Sequence, residues 1–409
     1  MPRVEFIATG SELLIGRSLN THVRRLAEAL VPLGLQVARE TTLPDDRSAI
    51  AAELRAALVR SQVVLVSGGL GPTCDDVTRE AAADALGCAL VEDAATLDRL
   101  RVRYLASGHE LTPGRRRQAL VLEGAAVLVN RVGSAPGQRA DLEGGRVLFL
   151  LPGPPAEFQA MLEDHVTPWL RRHAGGLAPI VHVWMVCGLV EGEIIERLKE
   201  VGFDPGPLEL AYCASPGQLE VRLTAPPDHK AGMARAADLV RAALGEHAYS
   251  ETREDLAAVV GRMLQHRGMT VAVAESCTGG LIGQKITSVP GSSAWFRGGV
   301  VAYANDLKTR LLEVPGELLA AHGAVSEPVA RAMAEGARRR LDADFGISTT
   351  GVAGPDGGTP DKPVGLVWWA VADREGSRAL SRRFFGDRAT IREWAAQMAL
   401  DALRRRLIR

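Results

Sequence analysis

Over the first part of the chain the apolar positions switch repeatedly between short unbroken runs and helical spacing. Val4–Thr9 predicts a strand, Asn20–Leu33 an amphipathic helix, Leu35–Leu43 a second strand and Arg47–Arg60 a second helix. Val63–Ser67 is apolar almost throughout and stops at Gly68-Gly69-Leu70-Gly71, the pattern of a buried strand feeding a loop. A helix from Val77 to Leu86 follows, and Val147–Leu151 runs into Pro152-Gly153-Pro154-Pro155 and a further helix. Strands alternating with helices predict a parallel, doubly wound sheet covered on both faces. Ligands of such sheets lie at the carboxyl ends of the strands, where the glycine-rich loops fall.

The pattern changes at Arg171–Pro179, which reads as a linker. Residues 180–250 predict a small α+β module: a strand, helix Glu191–Val201, strands Leu208–Cys213 and Leu219–Ala225, and helix Lys230–Leu244. From Thr252 a second α/β unit begins, with helix Leu256–Arg267 and strand Thr270–Ala274. Strands are expected at Gly299–Ala304, Phe345–Thr349, Leu366–Ala372 and Leu380–Phe385, before a terminal helix over Ile391–Leu407. The expected fold class is α/β: two α/β sandwich domains, 1–170 and 252–409, joined by a small α+β module, 171–251.

Composition narrows the function. The chain of 409 residues is 46% hydrophobic and 24% charged, which excludes wholesale disorder. Its 48 basic and 49 acidic residues give a formal net charge of -1, without the basic surplus of a dedicated duplex-binding protein. Five cysteines with no CxxC pair argue against a disulfide scaffold and a structural zinc site. The opening MPRVEFIATG has no apolar signal-peptide core, and no apolar run is long enough to span a bilayer, so the expected compartment is the cytoplasm. Only five basic residues are lysines: Lys199, Lys230, Lys285, Lys308 and Lys362. Genome composition accounts for such a bias, but lysine can lose its proton where arginine cannot.

In the first domain the strongest signal is Ser67–Ala81, SGGLGPTCDDVTREA. Its glycines permit close approach to a ligand, and the following helix start offers free N–H groups to an anion. Asp75 and Asp76 would suit a hard cation bridging a pyrophosphate. Helix capping explains one of the two carboxylates, and a ligand better explains the pair. Thr9–Gly16, with Glu12 and then Asn20, is another strand exit of this kind. Gln118-Ala119, Asn130, Gly133–Gly137 and Leu151–Glu157 add more loops, which together suggest a nucleotide-sized cleft.

In the last domain Ala274–Gly280, AESCTGG, joins an apolar strand to a helix. Ser276 there would be exposed beside helix-start N–H groups, suiting a nucleophile with an oxyanion hole. On its own this segment reads better as a helix cap formed by Ser276 or Thr278. Lys308 tips the balance: it follows a strand carrying Tyr303 and Asn305, and a partly buried lysine serves as the base for a serine. Cys277 is the rival nucleophile, but no histidine lies in a comparable motif to activate it. The long Ser348–Gly365 segment, with Thr350, Gly351 and Gly354, has the character of a binding loop. Arg388, before the final helix, could meet a phosphate.

TGSELLIG, GGLGPTCDDVTREA, GSAPG and LPGPPAEF resemble the molybdopterin-binding-like domain of the competence/damage-inducible CinA family. AYCASPGQLEVRLTA resembles the strand pair of the family's small KH-like domain. AESCTGG, the Tyr303–Lys308 segment, Pro290–Ser293, Gly323–Ser326 and the Ser348–Gly365 loop resemble its C-terminal nicotinamide-nucleotide amidohydrolase domain. The resemblance implies two activities: deamidation of nicotinamide mononucleotide to nicotinate mononucleotide, and cleavage of ADP-ribose to AMP and ribose 5-phosphate. For the first it implies Ser276 as nucleophile, Lys308 as general base and Tyr303 as an assisting hydroxyl. Thr350, Gly351 and Gly354 would hold the substrate together with Cys277, Thr278, Gly279, Gly280, Asn305 and Arg388, without a cofactor. For the second it implies Asp75 and Asp76 as catalytic, and Glu12, Asp75, Asp76 and Glu157 around a divalent ion (Co2+, Mg2+ or Mn2+, with K+ a further candidate). Gly68, Gly69, Thr73 and Asn20 would face the nucleotide. The implied partners are these small nucleotides, a second copy in a homodimer and, by the family's genetic association, a recombination protein. No direct nucleic-acid contact is expected, because the middle module lacks a GXXG loop flanked by basic residues. The alternatives are a non-catalytic pterin or nucleotide module at the N-terminus, and an adaptor in DNA uptake or repair.

Overall fold

The computed structural model describes residues 2–173 and 178–408, and the chain divides into two compact units, Met1–Pro179 and Ile180–Arg409. The first unit holds strands Val4–Thr9 (β1), Val37–Leu43 (β2), Val63–Ser67 (β3), Leu90–Glu92 (β4), Leu120–Leu122 (β5), Ala126–Leu128 (β6), Gly137–Leu142 (β7) and Arg146–Leu151 (β8). Six of them form one sheet in the order β2-β1-β3-β8-β7-β6, and β4 pairs with β5 alone. Alternate residues of the sheet enter two cores. Phe6 and Leu65 meet Leu26, Leu30 and Phe158 on one face; Ile7, Val64 and Val66 meet Ile50, Leu54 and Ala81 on the other. Helix Arg47–Arg60 falls where its pattern predicted, started by Asp46, whose carboxylate accepts from the Ala49 N–H at 2.7 Å.

The sheet is not parallel throughout, as its pattern had suggested. β2, β1, β3 and β8 are parallel, but β7 and β6 run antiparallel to their neighbours. Only the short Glu143–Gly145 segment separates β7 from β8, and so short a connection cannot cross over to a parallel strand.

The second unit contains two sheets. Strands Ile180–Val186 (β9), Glu209–Ser215 (β10), Gln218–Ala225 (β11) and Ala248–Ser250 (β12) form an antiparallel sheet, β10-β11-β9-β12. It has its own core, in which Trp184 and Val221 meet Ile194, Leu198 and Val240 of helices Glu191–Glu200 and Lys230–Leu244. Strands Val271–Glu275 (β13), Phe296–Val301 (β14), Phe345–Gly351 (β15), Leu366–Ala372 (β16) and Ser377–Arg383 (β17) form the sheet β14-β13-β15-β16-β17. Its first three strands are parallel and its last two antiparallel. β14 ends earlier than its apolar residues suggested, so Tyr303 lies in a loop and Asn305 opens helix Asn305–Leu312.

The expected boundaries also shift. Residue 170 falls inside helix Thr167–His173, and residues 174–177 of the expected linker lie outside the described residues. The 180–250 module is packed against the elements of the second sheet: Met185, Cys187 and Tyr249 share an apolar cluster with Val260, Ile391 and Leu400. Arg404 donates to the Glu246 carbonyl at 2.5 Å, and Arg382 to that of Gly188 at 3.1 Å. Among the described residues no helix is long and apolar enough to cross a membrane.

Candidate functional site

β13 is buried along its whole length, and the chain leaves it at Ser276. The turn that follows needs left-handed backbone at Gly279 (φ 58°) and Gly280 (φ 97°), which glycine adopts without a Cβ penalty. Neither Ser276 nor Thr278 caps helix Leu281–Thr287, correcting the capping alternative. The cap is Glu275, whose carboxylate accepts from the N–H groups of Gly280 (2.9 Å), Ile282 (3.1 Å) and Gly283 (2.8 Å). Ser276 itself is 8% exposed, and its N–H donates to the Thr349 carbonyl at 3.0 Å.

Lys308 reaches the same strand end from the neighbouring strand. Register pairs Glu275 with Val301, and the Ala302 N–H donates to the Glu275 carbonyl at 2.9 Å. Lys308 is 1% exposed, and its Nζ donates to the Ala302 carbonyl at 2.9 Å and the Tyr303 carbonyl at 3.1 Å. Burial holds its pKa below the ordinary lysine value. The two carbonyls anchor the amine at the strand end, and burial is what favours its neutral form. Among the described residues no hydrogen bond joins Ser276 Oγ to Lys308 Nζ; such bonds commonly tighten only when substrate arrives.

Other expected residues take different roles. The Cys277 side chain sits in the apolar core, where burial pushes its thiol up to about 12, so it presents only its backbone to the site. The Thr278 hydroxyl is held by Thr349 at 2.7 Å, and the Thr350 hydroxyl donates to the Ala324 carbonyl at 2.8 Å. Gly351 has no room for a Cβ against the Leu366 carbonyl, which makes it a packing residue. Arg388 ties two loops together, donating to the Gly354 carbonyl at 2.8 Å and to Tyr303 Oη at 2.9 Å. Asn305 is exposed at the start of its helix. Sequence reasoning missed Arg392, which donates to the Thr278 carbonyl through Nε (3.2 Å) and Nη2 (2.6 Å). Its only signal was its place one helical turn after Arg388.

The first unit carries a cleft of about 230 Å³ at the carboxyl ends of β1 and β3. Glu12, Asn20, Gly68, Gly69, Asp75 and Asp76 line it as expected. A Cβ on Gly68 would lie 2.3 Å from the Thr9 carbonyl oxygen, and one on Gly69 2.2 Å from Thr78 Oγ1, so both positions demand glycine. Asp76 caps no helix: its carboxylate folds the loop, accepting from the N–H groups of Gly71 and Thr73 (both 2.8 Å) and from Thr73 Oγ1 (2.5 Å). Thr73 is thus occupied within the loop and does not line the cleft. Asn20 donates to Glu40 at 2.6 Å. Glu157 is placed elsewhere, accepting from Asn130 Nδ2 at 2.5 Å against Gly133.

The expected metal set is therefore not assembled. Among the described residues no group of three or more His, Cys, Asp or Glu is placed to hold a metal ion. The cleft also contains His22 and Asp45, which sequence reasoning missed. The His22 ring stacks on Phe158 with centroids 4.3 Å apart, and Nδ1 lies 3.0 Å from Ser67 Oγ. Ser67 donates its own proton to the Pro152 carbonyl at 3.1 Å, so its oxygen accepts from His22 Nδ1–H. Burial, with help from Arg25, lowers the His22 pKa to about 4.

These features define a class: an α/β protein whose first unit offers a ligand cleft at strand ends and whose second carries a serine and a buried lysine at the ends of two neighbouring strands, a site suited to acyl transfer. Residues 5–172 match the family described as "Probable molybdopterin binding domain", and residues 253–407 match "CinA C-terminal domain". The chain is 44% identical over 414 residues to a "CinA-like protein" of Gemmatimonas aurantiaca, covering 99% of this chain and 96% of that one. A "CinA-like protein" of Geobacter sulfurreducens is also 44% identical, over 411 residues and 99% of both chains. The chain belongs to the CinA family. A crystal structure of a CinA superfamily protein from Klebsiella pneumoniae is 35% identical over 37% of this chain and 96% of that one, with a TM-score of 0.37.

Proposed function

We propose that the second unit hydrolyses the carboxamide of nicotinamide mononucleotide, giving nicotinate mononucleotide and ammonia. The observation that carries this reading is Lys308, a buried amine anchored on the Ala302 and Tyr303 carbonyls at the end of the strand paired with β13, whose exit is Ser276. The choice of a nicotinamide nucleotide rests on the likeness of the motifs to the family.

In this mechanism Ser276 Oγ gives its proton to Lys308 Nζ and bonds to the carboxamide carbon, whose C=O becomes C–O⁻. The tetrahedral species collapses, the C–N bond breaks, and ammonia leaves with the proton from Lys308. Water then gives a proton to Lys308 and attacks the ester carbon. The C–Oγ bond breaks, and Lys308 returns the proton to Ser276. Arg388, joined to Tyr303 Oη, is the cation available to the substrate phosphate. Ammonia release from nicotinamide mononucleotide by the full chain tests the reading. Release that persists undiminished in Ser276→Ala would overturn it.

For the first unit we propose binding and cleavage of ADP-ribose, supported by a cleft that brings Gly68 and Gly69 to strand ends beside Asp75. Glu12, Asp45 and Asp75 make it acidic, and they do not form a metal cage by themselves. A pyrophosphate would enter such a cleft only with its own counter-cation. AMP release from ADP-ribose, assayed with and without a divalent ion, is the test; no release in either condition leaves a binding module.

A further inference from the structure

The mechanism above leaves unused the buried carboxylate next to the nucleophile. Glu275 is 1% exposed and directly precedes the nucleophile. Across the turn it controls, Ser276 N–H goes to Thr349, Gly279 N–H to Ser276 (3.1 Å) and Leu281 N–H to Thr278 (3.3 Å). Glu275 takes the N–H groups of Gly280, Ile282 and Gly283. Arg392 takes the Thr278 carbonyl from outside the turn with two donors, so the 278–279 peptide is held at its carbonyl by Arg392 and at its N–H by Ser276. Among the described residues, the N–H groups of Cys277 and Thr278 are the two in this turn that donate to no backbone or carboxylate oxygen.

We propose that Glu275 and Arg392 are the positioning residues of the acyl-transfer site, fixing the turn so that the Cys277 and Thr278 N–H groups form the oxyanion hole and Ser276, not Cys277, is the nucleophile. The inference rests on the serine–lysine reading. The helix N-terminus, an obvious donor for an oxyanion, is already occupied by Glu275, so stabilisation comes from the two amides nearest Ser276. Both amides lie against the Cys277 sulfur, a weak acceptor that an oxyanion would displace. Burial is the main bar to a thiolate at Cys277, and the Glu275 charge adds to it, against the opposite pull of Lys308 and the two amides. One carboxylate therefore sets the turn.

The experiment uses the full chain and two readouts. The first is steady-state ammonia release from nicotinamide mononucleotide; the second is labelling of Ser276 by a fluorophosphonate, whose adduct needs the same oxyanion donors without the natural substrate. Glu275→Gln keeps one acceptor but turns an NH2 group towards the helix amides. It is expected to lower kcat about 100-fold with KM changed less than about threefold, and to slow labelling in parallel. Arg392→Met should lower kcat and labelling likewise, while Arg392→Lys, which keeps one donor for the Thr278 carbonyl, recovers most of both. Should Glu275→Gln fail to fold, the Arg392 pair carries the test. Wild-type labelling rates in Glu275→Gln or Arg392→Met would overturn the proposal, as would equal losses in Arg392→Lys and Arg392→Met. A chain that releases no ammonia, yet shows Ser276 labelling sensitive to both residues, would sink the substrate reading and leave the positioning roles standing.

Discussion

The two glycine-rich strand exits are built with the same device and used for opposite ends. After β3, Asp76 folds back on the Gly71 and Thr73 amides, while Arg79 and Arg117 hold the carbonyls of Leu70, Gly71, Thr73 and Asp76. After β13, Glu275 takes three amides and Arg392 the Thr278 carbonyl. In both, a carboxylate satisfies donors and an arginine from farther along the chain satisfies acceptors. What remains differs. The first loop frames an open cleft lined by carboxylates, a place for a ligand that brings its own cation. The second leaves a nearly enclosed hydroxyl, two amides and a neutralisable amine, which suits covalent chemistry. A glycine-rich strand exit therefore states only that backbone will come close to something; the side chains anchoring the loop decide what.

The sharpest way to break this comparison is to disable one site and assay the other. Ser276→Ala and Lys308→Arg should each lower ammonia release at least about 1,000-fold while leaving ADP-ribose cleavage unchanged. Parallel loss of both activities would mean that the sites are not independent. Next in size is Gly69→Ala, which puts a Cβ into Thr78 Oγ1 at a positive φ. It should destabilise the first unit by about 2 kcal/mol, read as a lower Tm for that transition, with ammonia release retained.

Acidity separates the sites more gently. Because the folded state holds Lys308 below its ordinary pKa, amidase kcat/KM should rise with pH and level off before the usual lysine value of 10.5 is reached. His22 has the opposite consequence for stability. Its folded pKa of about 4 lies below the ordinary 6.5, so the unfolded chain binds a proton that the folded chain refuses. Stability of the first unit should fall as pH drops through that window, and His22→Gln should flatten the loss in a thermal-unfolding series. The smallest effect is expected from Cys277→Ala. The thiol lies in the core, so kcat should stay within about threefold while stability falls by about 1 kcal/mol.

Helices Arg47–Arg60, Lys230–Leu244 and Leu256–Arg267 and strand Leu366–Ala372 were legible to the residue, because apolar spacing and flanking turn residues agree there. β14 was not: as a half-exposed edge strand it alternates burial, and the apolar Val300-Val301-Ala302 drew the boundary past its end. Ser276 and Lys308 were found through their motifs. The capping partner was misassigned, since a side chain ending the preceding strand reached over the turn to a helix start several residues on. Glu157 failed for a related reason: its loop motif is local, whereas the Asn130 amide that holds it comes from another segment. Arg392 and His22 act through partners distant in sequence, which spacing cannot reveal.

The shared cluster of Met185, Cys187 and Tyr249 with the final helix decides where this chain should be cut. A fragment beginning at residue 252, where the apolar pattern starts the second α/β unit, would remove Met185, Cys187 and Tyr249, three buried side chains packed into that unit's core, and should be less stable than one beginning at residue 180. Dissection of the two proposed activities should divide the chain between Pro179 and Ile180, with the small antiparallel sheet travelling with the second unit.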